Sequence, residues 1–127
     1  MSDKAVYEYA IVRVVPRVER EEFVNVGVAL YCRKQRYADV KIHVDEQKLK
    51  SLCPDIDMEM IKRHLDSFRR ICLGQSDAGR IATLDQTERF RWLTANRSTL
   101  IQSSATHPGL CIDAAETHQY LFEKLVL

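Results

Sequence analysis

The sequence lacks the features that mark several large classes of protein. No apolar run is long enough to cross a membrane, and the first ten residues, MSDKAVYEYA, have no apolar signal core. An excess of one charge is also absent, because 19 basic residues against 18 acidic ones leave a net charge of +1. Nucleic-acid coat proteins and membrane-surface binders usually carry a strong basic excess. We therefore expect a cytoplasmic protein without a membrane partner, and the charge argues against nucleic acid as its ligand.

Motifs for metal ions and common cofactors are missing as well. The four cysteines form no CxxC or Cys–His pair, and each has apolar neighbours: Cys32, Cys53, Cys72 and Cys111. There is no HExxH or HxH motif and no glycine-rich phosphate loop of either standard spacing. We therefore expect free, buried thiols, no metal site and no cofactor.

The composition is that of a globular domain with many arginines. A chain of 127 residues with 46% apolar and 29% charged residues predicts one domain spanning residues 1–127. Twelve of the 19 basic residues are arginine. Arginine is suited to bidentate contacts with carboxylate and phosphate groups, so an anionic ligand is a natural hypothesis.

Alternation and spacing predict strands in the first part of the chain and helices in the middle. The predicted elements are strands at 5–15, 23–32 and 38–44, helices at 45–53, 56–73 and 86–95, a strand at 97–104, a turn at 105–110 and a helix after Asp113. The order β-β-β-α-α-α-β-α predicts an α+β fold. We expect a mostly antiparallel sheet of about four strands, with helices packed on one face.

An asparagine and a glycine interrupt the second predicted strand, EEFVNVGVALYC at residues 21–32. Strict alternation places the valines on one face and both Asn25 and Gly27 on the other. A glycine there lets a ligand or another backbone approach closely, which predicts a shallow polar concavity. The alternative is that Gly27 marks a β-bulge and Asn25 bonds to a neighbouring segment.

The face predicted to carry Asn25 and Gly27 also carries many aromatic side chains. Phe23 and Tyr31 follow the same alternation, and the first strand adds Tyr7 and Tyr9. So much apolar surface is unusual on an exposed sheet, so a homodimer through this face is a further prediction.

Three segments, in order over nearly the whole chain, resemble a known family. They are YAIVRVVPRVEREEFVNVGVALYC, ERFRWLTANRSTLIQSSATHPGL and HQYLFEKLV. The chain resembles the bacterial family known as domain of unknown function 3037, which has no established activity. Such proteins come from bacterial operons, often beside a gene for a HipA-like kinase. The resemblance therefore implies a small accessory or regulatory protein with a protein partner.

The resemblance also implies a set of binding residues at the polar motif positions. These are Arg13, Glu22, Asn25, Gly27, Arg91, Arg97, Ser98, Gln102 and His107. Two positions depart from the family pattern. Asn96 stands where a proline is expected, and Pro108 follows His107 where a small polar residue is usual. The proline restricts the backbone conformation of His107.

Three functions are compatible with these residues. The preferred one is binding of a protein partner through a patch formed by Arg13, Asn25, Gly27, Arg91 and Arg97. The second is an anion- or phosphate-binding enzyme or ligand sensor, with arginines as a clamp and His107 as the candidate general base. The third is a nucleic-acid-binding module that uses the basic runs at 33–36 and 62–70, although acidic residues flank both runs.

Overall fold

The protein forms a five-stranded sheet with four α-helices, seen in a computed structural model that describes residues 3–97 and 99–127. The strands are β1 (Ala5–Val14), β2 (Val24–Cys32), β3 (Tyr37–Ile42), β4 (Ile101–Ser103) and β5 (His107–Cys111). The helices are α1 (Glu46–Leu52), α2 (Met58–Cys72), α3 (Gln86–Leu93) and α4 (Ala114–Leu125). The predicted α+β class and the antiparallel sheet are confirmed, with one strand more than expected.

Each α-helix in the described part of the chain begins after an aspartate that caps it. Asp45, Asp57 and Asp85 each accept a hydrogen bond from the backbone N–H three residues further on. Asp113 accepts from the N–H groups of Ala115 and Glu116. Such a cap satisfies backbone donors that would otherwise be unpaired and is worth about 1 kcal/mol. The caps predicted at Asp85 and Asp113 are confirmed.

The sheet has the order β3-β2-β1, and both β4 and β5 pair with the far side of β1. The predicted meander of the first three strands is confirmed. The predicted turn at 105–110 is wrong in its last four residues, because residues from His107 onward form β5 against β1. Pro108 and Gly109 are typical of turns, but β5 is an edge strand, where proline is tolerated. Gly109 also lies under a ring, since an added Cβ would be 2.5 Å from Tyr7 Cζ.

Helices cover both faces of the sheet, so the prediction of helices on one face is wrong. Side chains of α1, α2 and α3 share one hydrophobic cluster with Val12, Ala29 and Val40. Side chains of α4 share a second cluster with Leu30 and Cys32 on the opposite face. The alternation of β2 did not reveal this arrangement because Val26 to Cys32 are all buried, on both faces.

The aromatic load that suggested a homodimer is distributed over both faces. Tyr7 and Tyr9 pack against the cluster beneath α4 of the same chain. Tyr31 lies on the other face, where its ring centroid is 5.3 Å from that of Phe90. An intramolecular helix therefore occupies the place that was predicted for a second copy.

Buried polar contacts fix α4 to the sheet. The fully buried His118 places its Nε2 2.6 Å from the carbonyl oxygen of Val28 and its Nδ1 2.6 Å from the hydroxyl of Tyr37. Because a carbonyl only accepts, Nε2 carries the proton and donates it, and Nδ1 accepts from the tyrosine. Burial lowers the pKa of His118, which keeps the imidazole neutral.

A β-bulge at Val26 separates Asn25 from Gly27. Val12 of β1 lies opposite Gly27, but the next residue, Arg13, lies opposite Asn25, so Val26 is an extra residue on β2. The alternation therefore changes phase, and Asn25 faces α4 while Gly27 faces the opposite side. The prediction that both share one face is wrong, and the bulge interpretation is confirmed.

Gly27 is needed for close backbone approach. A Cβ at this position would lie 2.6 Å from the carbonyl oxygen of Lys41 on β3. That distance is shorter than any ordinary contact, and the obstacle is backbone that cannot rotate away. Glycine at position 27 therefore serves the pairing of β2 with β3.

Candidate functional site

A pocket at the end of the β1–β2 hairpin, on the α4 side of the sheet, brings together three of the predicted binding residues. Its volume is 360 Å³. It is lined by Arg13, Val15, Val18, Glu21, Phe23, Asn96, Arg97 and Gln102. Arg13 of β1 and Gln102 of β4 are register partners, and Arg97 comes from the segment between α3 and β4. We call this site the guanidinium pocket.

Both arginines of the guanidinium pocket stack on aromatic rings. Arg13 Cζ lies 4.1 Å from the ring centroid of Phe23, and Arg97 Cζ lies 4.1 Å from that of Trp92. Arg97 Nη2 also donates a hydrogen bond to the carbonyl oxygen of Trp92. A stacked guanidinium presents its N–H groups at its edge, and it is positioned by the ring without losing these donors.

The two guanidinium groups have no counter-ion in the described residues. Neither Arg13 nor Arg97 forms an ion pair there, whereas Arg17, Arg20, Arg69, Arg70 and Arg91 each pair with a carboxylate. One carboxylate, that of Glu21, does line the pocket, so the lining side chains carry a net charge of +1. The pocket is therefore suited to a small anion such as a carboxylate or phosphate group.

Asn25 does not line the guanidinium pocket but is the register partner of Arg13 on β2. Its Nδ2 lies 3.4 Å from the carbonyl oxygen of Leu125 at the end of α4, and donates to it. Its Oδ1 and the Nε of the facing Arg13 are both buried, and neither has a hydrogen-bond partner within the described residues. Arg13 is thus held by its ring contact and by packing, so an anion at its Nη atoms would displace no existing ion pair.

The other predicted residues of the N-terminal segment lie outside this pocket. Glu22 forms an ion pair with Arg20, with Nε and Oε1 2.5 Å apart. Gly27 faces the opposite side of the sheet from Asn25, as described above. The geometry therefore divides the predicted patch, because the bulge keeps only Asn25 near Arg13.

The predicted residues of the second half of the chain are also dispersed. Arg91 Nη2 lies 2.9 Å from Glu8 Oε2, on the face of the sheet opposite the pocket. His107 is exposed on β5, with its ring centroid 5.2 Å from that of Tyr9, so it does not line the pocket. Ser98 lies outside the described residues. Arg97 and Gln102 are the two that reach Arg13.

Phe23 and Trp92 were missed as functional residues by the sequence reasoning. Phe23 was assigned to an aromatic sheet face, and Trp92 was not among the predicted binding residues. The structure shows that each ring supports a guanidinium group of the pocket. A sequence signal exists for Trp92, which precedes Arg97 by five residues at a helix end. The contact of Phe23 with Arg13 depends on the hairpin between β1 and β2.

The described residues contain no group of three or more His, Cys, Asp or Glu side chains arranged to hold a metal ion. No helix within them is both long enough and apolar enough to cross a membrane. All four cysteines are free, and Cys53 is only half-buried while the other three are buried.

Comparison with known families gives a match over nearly the whole chain. Residues 9–126 match the model of the family described as "Protein of unknown function (DUF3037)". The chain belongs to this family. The matched range contains every residue that lines the guanidinium pocket, and the resemblance seen in the sequence is confirmed. No curated protein and no solved structure matches the chain. Membership of the DUF3037 family supplies no activity, ligand or partner.

Proposed function

We propose that this chain is an accessory binding protein, and that its guanidinium pocket receives an anionic group carried by a protein partner. The observation that supports the proposal is the pair Arg13 and Arg97, which line one pocket, each stacked on a ring and neither paired with a carboxylate in the described residues. The ligand group is a carboxylate or a phosphate, since both match the donor edge of a guanidinium.

Two physical arguments favour binding of an anion over a purely structural role. First, the buried Nε of Arg13 has no hydrogen-bond partner in the described residues, whereas Arg69 makes two hydrogen bonds to Asp39. Second, positioning by Phe23 and Trp92 reduces the side-chain entropy that an arginine loses when it binds a ligand. The pocket is thus organised before the anion arrives.

The partner is proposed to be a protein on the basis of the resemblance described above. The resemblance implies that related chains often occur beside a gene for a HipA-like kinase, so such a kinase is the first partner to test. In this proposal an acidic or phosphorylated side chain of the partner enters the guanidinium pocket.

The ligand chemistry is tested first with small anions. Inorganic phosphate and acetate are titrated into ¹⁵N-labelled protein at constant ionic strength, and the Nε–Hε signals of Arg13 and Arg97 are followed by NMR. We expect saturable shifts of both signals, and an affinity roughly tenfold to a hundredfold lower in Arg97→Gln, since a charge-assisted pair is worth about 1.5–3 kcal/mol. Arg63→Gln is the matched control, because Arg63 is an exposed arginine of α2 outside the pocket.

Two results would contradict the anion pocket. One is the absence of saturable shifts at Arg13 and Arg97 with both anions. The other is equal affinity in Arg97→Gln and Arg63→Gln. The partner is then tested by co-expression with a HipA-like kinase, where we expect Arg97→Gln to lose co-purification and Arg63→Gln to keep it. If both variants retain the kinase equally, the partner does not bind through the guanidinium pocket.

A further inference from the structure

A second concavity lies on the opposite face of the sheet and at the opposite end of β1. Its volume is 1020 Å³. It is lined by Lys4, Ala5, Val6, Tyr31, Arg33, Lys34, Arg36, Asp85, Gln86 and Thr87. We call it the basic groove. None of these residues lines the guanidinium pocket, so this site is independent of the function proposed above.

The basic groove collects positive charge that is not neutralised. Arg33, Lys34 and Arg36, from the turn between β2 and β3, form no ion pair with a carboxylate in the described parts of the chain. The single lining carboxylate, Asp85, caps α3, with Glu88 N 2.9 Å from its Oδ1, and it forms no ion pair with these three side chains.

The turn that carries these cations is fastened on two sides. Gln35 Nε2 donates to the carbonyl of Ile112 at 2.7 Å, and its Oε1 accepts from Ala114 N at 2.8 Å. On the other side, Gln86 Nε2 donates to the carbonyl of Arg36 at 3.0 Å. The backbone is therefore held by contacts to α3 and to the start of α4. A rigid base reduces the ordering cost when the cations meet a ligand.

An aliphatic surface adjoins the basic groove. A smaller depression shares Val6, Tyr31, Arg33 and Thr87 with it and extends toward Pro108 on β5. Val6 and Leu110 are cross-strand partners, and they are 62% and 63% exposed. Two large aliphatic side chains side by side on an uncovered part of a sheet are typical of a contact surface.

We infer that the basic groove docks an acidic segment of a partner protein. Carboxylates of that segment contact Arg33, Lys34 and Arg36, and an aliphatic side chain of the segment packs on Val6 and Leu110. The charges of the segment and the groove are complementary. The apolar side chains of Val6 and Leu110 can pack against a peptide side chain, whereas they offer no favourable contact to a phosphate group.

The lining favours a protein segment over a single-stranded nucleic acid. Nucleic-acid grooves combine cations with exposed aromatic rings on which the bases stack. The aromatic residue of this groove, Tyr31, is only 5% exposed, and its hydroxyl is hydrogen-bonded to Thr87.

Fluorescence anisotropy with a labelled glutamate-rich peptide that contains two central leucines tests this inference. We expect wild-type protein to bind the peptide with an affinity that falls as salt is added. The double variant Arg33→Glu/Arg36→Glu should weaken binding at least about tenfold, since two exposed charge pairs are lost and two repulsions added. Arg63→Glu on α2 is the matched control and should bind as wild type does.

A second variant and a second probe complete the test. Val6→Ser should weaken binding several-fold and leave the salt dependence unchanged, because it removes only the aliphatic contact. Methyl NMR signals of Val6 and Leu110 should shift on titration. The inference is overturned if the peptide does not bind wild type, if Arg33→Glu/Arg36→Glu binds as tightly as Arg63→Glu, or if an oligothymidine of equal charge binds more tightly than the peptide.

Discussion

The hydrogen bond between Tyr37 and His118 joins β3 to α4, and Tyr37→Phe removes it with little other change. The phenol oxygen of Tyr37 lies 2.6 Å from Nδ1 of His118, which is fully buried. Without the hydroxyl, Nδ1 stays buried as an acceptor with no donor, while Nε2 keeps its bond to Val28. The Phe ring preserves the edge-on contact, in which the two ring planes are 90° apart.

The cost of this substitution follows from the buried acceptor. A buried polar group that loses its partner destabilises a protein by about 1–3 kcal/mol. For a chain of this size, each kcal/mol lowers the melting temperature by roughly 3–5 °C. We therefore expect the free energy of unfolding of Tyr37→Phe to fall by about 1–3 kcal/mol.

Urea denaturation at neutral pH, followed by circular dichroism, measures the loss. Tyr120→Phe is the matched control. Tyr120 lies on α4, as His118 does, but its side chain is exposed and its hydroxyl makes no hydrogen bond in the described residues. We expect the control to stay within about 0.5 kcal/mol of wild type. Equal stability of the two variants would refute the role of the Tyr37 hydroxyl in holding α4.

Two further predictions concern pH and the bulge. Burial lowers the pKa of His118 in the folded state, so the unfolded chain binds more protons below about pH 6.5. The free energy of unfolding should therefore fall as the pH decreases from about 7. If the pH profile of the urea midpoint is unchanged in His118→Gln, this prediction is wrong. Gly27→Ala should cost about 1–3 kcal/mol, since its Cβ meets the backbone of Lys41. Gly109→Ala should cost less, because its obstacle is the movable ring of Tyr7, and calorimetric melting that shows the reverse order would refute the distinction.

Much of the fold was accessible from local sequence. The alternation at 38–44 predicted β3, whose Val40 and Ile42 share one face and whose Asp39 and Lys41 share the other. The capping aspartates at 85 and 113 marked where α3 and α4 begin. These signals are local, because a strand has a period of two and a cap involves residues only a few positions apart. They are therefore visible without knowing which elements meet.

The candidate site was accessible only in part. The resemblance to the DUF3037 family indicated Arg13, Arg97 and Gln102, which the structure places around one pocket. It also indicated Arg91 and His107, which lie elsewhere. A list of polar positions does not contain their distances, since these depend on sheet order and on the segments that link α3 to β4.

What the sequence by itself determined is the four α-helices, the first four strands, the antiparallel meander of β1 to β3 and the caps at Asp85 and Asp113. What only the tertiary structure decided is which face each side chain occupies. One unpaired residue, Val26, changes the phase of β2 and sends Asn25 and Gly27 to opposite faces. Likewise, β5 forms through Pro108 and Gly109 because β1 offers an open edge. Register and edge pairing are long-range contacts, and a period of two cannot reveal where an extra residue resets it.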